Sequence, residues 1–111
     1  MDSIELLKKT LFEFLDTIGE YKTEQKKSSI HITNGRAFIG LHPRKSYLGI
    51  NIVLSHPKVS PAADKVEQVS SNRFHHFYKI SSAKEMNKSF FYLLKEAYDL
   101  TQIRQQREGI K

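Results

Sequence analysis

Apolar residues recur at spacings of three and four near the start of the chain. Ile4, Leu7, Leu11, Phe14, Leu15 and Ile18 fall on one face of a helix. Asp2 stands three residues before Glu5, a capping-box spacing, and Gly19 supplies the stop. The period then changes. After a polar stretch over 20–29, Ile30-His31-Ile32-Thr33 and Ala37-Phe38-Ile39-Gly40-Leu41 flank Asn34-Gly35, a strong signal for a β-hairpin. Pro43-Arg44-Lys45-Ser46 reads as a second turn. From Tyr47 onward the alternation is strict: Leu48, Ile50, Ile52 and Leu54 point one way, and Tyr47, Gly49, Asn51 and Val53 the other. One face of this strand is therefore core.

Residues 56–73 are too many for an unstructured connection in a small domain. Ser60 as N-cap and Pro61 at the first helical position predict a short helix over 60–69. Residues 74–80 read as a fourth strand. Ser82-Ala83-Lys84-Glu85 is a capping box that opens a last helix, in which Met86, Phe90, Leu93, Ala97 and Leu100, flanked by Phe91, Leu94 and Tyr98, form a wide apolar face. Residues 101–111 read as a frayed polar tail. The order α-β-β-β-(short helix)-β-α predicts a single α+β domain over 1–111. Two long helices pack on one face of a mainly antiparallel four-stranded sheet.

Charge adds to this picture because it is segregated. From Gln25 to Ala63 and again from Gln68 to Lys84 there is no Asp or Glu, yet these two blocks hold all five histidines and nine Lys or Arg. They carry +9, against −3 for the remainder of a chain whose net charge is +6. All four strands read above lie in these blocks, so the expected sheet is basic and acid-free, a surface suited to anionic partners. No apolar run reaches the roughly 18 to 20 residues of a membrane span, and the acidic Met1-Asp2-Ser3-Ile4-Glu5 start is unlike a secretory signal. The expected location is cytoplasmic, with no membrane partner. At 39% apolar and 27% charged residues the composition is that of a globular protein. The chain has no cysteine, which removes disulfides, thiolate nucleophiles and cysteine zinc sites.

Several catalytic chemistries lack their residues. No Gly-x-Ser-x-Gly elbow and no phosphate-binding glycine loop occurs. Glu20-Tyr21-Lys22 and Glu24-Gln25-Lys26, with Asp16 upstream, match the Glu-x-Lys of metal-dependent nucleases, but a helix end and a polar linker are the wrong places to hold magnesium. His31, His42 and His56 have no metal-ligand spacing. No metal and no cofactor are expected. His75 and His76 are neighbours on a strand and must face opposite sides: His76 goes with Tyr78 and Ile80 toward the core, and His75 faces the open side. A metal-free ribonuclease built on His75, His76, Arg73, Lys79 and Tyr78 remains as one alternative. Basic residues interleaved with Tyr47, Phe77 and Tyr21 suit non-catalytic binding of a nucleic-acid strand, with Arg36, Arg44, Lys45, Arg73, His75 and Lys79 as the candidate contacts. That small binding or accessory module is the leading reading. Protein-protein interaction, with a partner protein or a second copy of the chain, is the other alternative.

Three elements in order resemble a family of uncharacterised prokaryotic domains, some of them labelled "predicted transport protein". They are Leu48-Gly49 at a strand centre, His76 with Tyr78, Ile80, Ser81 and Ser82 on the next strand, and Ala97-Tyr98 in the last helix. The resemblance covers roughly residues 27–100. Family members tend to carry Asp in the first turn of the last helix, where this chain has Asn87. The resemblance implies no activity. Members joined to restriction and defence domains imply a nucleic-acid setting.

Overall fold

The computed structural model of the chain describes residues 3–109, and side chains over residues 3–103. Asp2, and with it the expected capping box to Glu5, lies outside the described residues. Helix α1 (Ser3–Ile18) is followed by β1 (Lys22–Gln25), β2 (Ile30–Thr33), β3 (Ala37–Pro43), β4 (Leu48–Leu54), β5 (Lys65–Ser70) and β6 (Arg73–Ile80), then a 3-10 turn (Ala83–Glu85) and helix α2 (Lys88–Gly109). The strands form one antiparallel sheet in the order β1-β2-β3-β4-β6-β5. The sheet has six strands, not the four that the sequence predicts, although the α+β class holds.

Both missed strands are edges, and every residue of Lys22–Gln25 and of Lys65–Ser70 is exposed. A strand with no buried face has no apolar alternation to read, and its charges suit an unpaired rim. The expected helix over 60–69 is replaced by an irregular segment and β5. Val66 and Val69 favour extended backbone, and pairing with β6 fixes it. The Ser60–Pro61 peptide is cis.

Both helices cover the same sheet face: α2 packs on β3 and β4, and α1 on β4 and α2. Leu48, Ile50, Ile52 and Leu54 are all buried beneath them, as the alternation predicts. Phe14 of α1 stacks on Phe91 of α2 at 4.4 Å, and Phe90 meets Tyr78 of β6 edge-on at 5.4 Å. A bulge opposite Ile32/Thr33 leaves Phe38 without a partner on β2, so Phe38 and Ile39 both enter the core. Phe38 then lies edge-on to Tyr98.

The Ser82 capping box forms, with Glu85 Oε2 accepting from the N–H groups of Ser81 and Ser82, but it opens only the 3-10 turn. Met86 turns into the core and the chain restarts at Asn87, whose Oδ1 accepts the Phe90 N–H at 3.1 Å. Asn87 is thus the N-cap of α2, a role Asp would fill equally well. The helix continues to Gly109, through the stretch the sequence reads as a tail.

Candidate functional site

The face of the sheet away from the helices carries no second layer among the described residues. Register places Gly49, Asn51 and Val53 of β4 on it beside Lys79, Phe77 and His75 of β6. Arg73 lies on the same side of β6. His31 and His42, on β2 and β3, share this face, with Gly40 between them. The six candidate contacts do not form one cluster. Arg73, His75 and Lys79 follow one another along β6, roughly 20 Å from first to last at ~3.3 Å per residue. Arg44 and Lys45 stand in the β3–β4 turn at the Lys79 end, and Arg36, in the β2–β3 turn, lines a groove with Arg73 at the other, where Ala97, Leu100 and Ile103 of α2 form the opposite wall.

Rings lie among these charges. Lys79 Nζ sits 5.4 Å from the centroid of Tyr47, and Lys65 Nζ sits 5.7 Å from that of Phe77. Gly49, beside Tyr47, lies close to β3: a Cβ there would meet the His42 carbonyl oxygen at 3.2 Å and His42 Cβ at 3.3 Å. The face is less acid-free than the sequence implies. The unforeseen edge strands bring Glu24 beside His31 and Glu67 beside His75, each already paired with a lysine, Lys26 and Lys65 respectively.

His75 has a partner on each side. Arg73 Nε donates to Nε2 at 3.5 Å, and the Asn51 side-chain amide lies 3.0 Å from Nδ1. A doubly protonated ring would oppose N–H to N–H at the Arg73 contact. Burial, and then the Arg73 charge, lower its pKa below the usual histidine value against a smaller opposing pull from Glu67. His42 is lowered as well, by burial, Arg44 and His31.

His76 belongs to the other face. It is fully buried, its Nε2 accepts the Lys58 backbone N–H at 2.9 Å, and its Nδ1–H donates to the Phe74 carbonyl at 3.2 Å. Both nitrogens are satisfied by the neutral ring, and burial lowers its pKa. Two residues on, Tyr78 Oη donates to the Pro61 carbonyl at 2.7 Å, and burial pushes its pKa up to about 12. Asp64 accepts the Lys79 N–H through Oδ2 and donates its own N–H to the Phe77 carbonyl. Glu96 of α2 pairs with Lys58 and His56. Segment 55–64 is therefore a strap tied to β6 and α2. Nothing in the sequence marks Lys58, Pro61 and Glu96 as its anchor points, since each partner is distant along the chain.

A family model described as a domain of unknown function, DUF5655, matches residues 3–101. The chain belongs to this family. No curated protein and no solved structure matches it. The residues through which this DUF5655 chain resembles an uncharacterised family are architectural. Leu48 is core and Gly49 packs against His42 and the Tyr47 ring. His76 and Tyr78 hold the strap. Ala97 and Tyr98 are buried in α2, with Tyr98 Oη donating to the Glu20 carbonyl at 3.0 Å. Among the described residues no group of three His, Asp or Glu is placed to hold a metal ion, and no helix is long and apolar enough to cross a membrane.

Proposed function

We propose that this chain is a small, non-catalytic, cytoplasmic module that binds nucleic acid through the uncovered face of its sheet. The observation that carries the reading is the sequence of side chains along one side of β6. Arg73, His75, Phe77 and Lys79 project from alternate positions onto a surface that no helix covers among the described residues, with Tyr47, Arg44 and Lys45 at one end. Cations interleaved with rings are what a polyanion carrying flat bases requires. A protein interface would be expected to draw on apolar side chains at its centre, and Val53 is the one aliphatic residue that β4 and β6 present there.

Glu67, His75 and Arg73 together favour a second reading, cleavage of RNA through its own 2′-hydroxyl, because a carboxylate, an imidazole and a guanidinium stand on one face. That chemistry needs a proton for the leaving oxygen. Burial and the Arg73 guanidinium beside it disfavour the charged form of His75, and His76 faces the opposite way, so neither histidine of the pair is placed to supply that proton at neutral pH.

Binding of single- and double-stranded DNA and RNA across a salt series tests the proposal. At about 50 mM salt the expected affinity is micromolar or tighter, falling steeply as salt rises, and Lys79→Ala should reduce the slope by about one. No binding of any of the four at that salt would reject it in favour of a protein partner.

A further inference from the structure

Two aromatic rings on the open face remain unexplained by charge alone. Phe77 and Tyr47 are half-buried, neither is part of the core beneath the helices, and each has a lysine ammonium within cation-π range. Phe77 sits mid-face, across from Asn51 on one side and Lys65 on the other. Tyr47 lies beside Gly49, its ring 3.7 Å from where a Cβ would stand, and under the Lys79 ammonium. A polyanion without accessible bases would use the lysines and leave both rings idle. A strand with unpaired bases uses both: phosphates draw Lys65 and Lys79 off the rings, and bases take their place.

We infer that the ligand of this face is single-stranded nucleic acid, lying along β6 with bases stacked on Phe77 and Tyr47 and the flanking phosphates met by Arg73, Lys65 and Lys79. This rests on the nucleic-acid reading above and narrows it. In a duplex the base faces are closed off inside the helix, and neither β6 nor its neighbours raise an element that would enter a groove. Asn51 and His75, the polar groups beside Phe77, can meet base edges. They are too few to fix a sequence, so the expected binding tolerates different bases.

The experiment measures anisotropy of labelled oligo(U), oligo(dT) and a hairpin duplex of equal phosphate number, using the full chain, Phe77→Ala and Phe77→Leu, each variant first checked for native circular dichroism. Single strands should bind at least tenfold tighter than the duplex, and either substitution should weaken single-strand binding by roughly tenfold while changing duplex binding less than twofold. Phe77→Leu keeps apolar area and removes the π face, so its loss of affinity separates stacking from burial. A difference between oligo(U) and oligo(dT) assigns the strand as RNA or DNA. Equal salt-dependent binding of duplex and single strands, or a Phe77 effect common to both, would overturn the inference and leave the nucleic-acid reading standing. No binding to any of the three would remove both.

Discussion

His76→Ala should destabilise the fold by about 3 kcal/mol and loosen segment 55–64. The ring is fully buried, so its removal leaves a cavity, and it strands the Lys58 N–H without an acceptor, a loss that costs about 1 to 3 kcal/mol by itself. Chemical denaturation gives the size of the effect, and limited proteolysis gives its place. New cleavage should fall within 55–64. A variant with unchanged stability and no new site would show that the strap is held without His76. Acid should act on the same residue. His42, His75 and His76 all have folded-state pKa values below that of the unfolded chain. The contribution of their neutral forms is complete above the unfolded value of about 6.5. It is lost as pH falls below that point, since the unfolded chain then takes up protons first. Stability should therefore decline on acidification from about pH 6.5, with a slope of at most ~1.4 kcal/mol per pH unit for each histidine, and His76→Ala should decline less steeply.

Gly19→Ala should cost about 3 kcal/mol through two separate causes. Gly19 has φ +154°, which an L side chain rarely adopts, and a Cβ there would lie 2.2 Å from Tyr98 Oη and 2.6 Å from Cζ. Backbone strain and overpacking each cost about 1 to 3 kcal/mol. Tyr98 has little freedom to retreat, because its ring meets Phe38 and its hydroxyl bonds the Glu20 carbonyl and Gln102 Nε2. In a Tyr98→Leu background the clash disappears and the strain stays, so Gly19→Ala should cost markedly less there. Additive effects in that cycle would refute the contact as the cause.

The elements with a buried face were legible in the sequence. The 3.6-residue period of α1, the alternation of β4 and the Asn34-Gly35 hairpin each write burial into the order of residues. In β4 this extends to the four side chains that lie in the core. The hairpin tip differs in one respect: the Asn34 side chain bonds Thr101 of α2 and so docks the turn. β1 and β5 were illegible for the reason that makes them edges: Lys22–Gln25 and Lys65–Ser70 bury no face and are held mainly by backbone pairing, so no apolar alternation marks them. The candidate site divides in the same way. Strand parity correctly separated His75 from His76. The carboxylates next to His31 and His75 came from those unread edges, and the expected acid-free face came with two glutamates.

The strap and β5 have a consequence for how the molecule opens. β5 is exposed on both faces and pairs only with β6, so its hold on the fold is one ladder and the ties of the preceding segment. This margin should open as a local unit well below the free energy of global unfolding, whereas Leu48–Leu54, paired on both sides and roofed by helices, should open only with the whole domain. Hydrogen exchange should resolve the two as separate populations, and their merging would show a single cooperative block. A strand bound along β6 reaches Lys65, and with it the looser unit. Its arrival would then be felt as slowed exchange at amides it never touches, because part of the binding free energy goes into quieting this margin of the sheet.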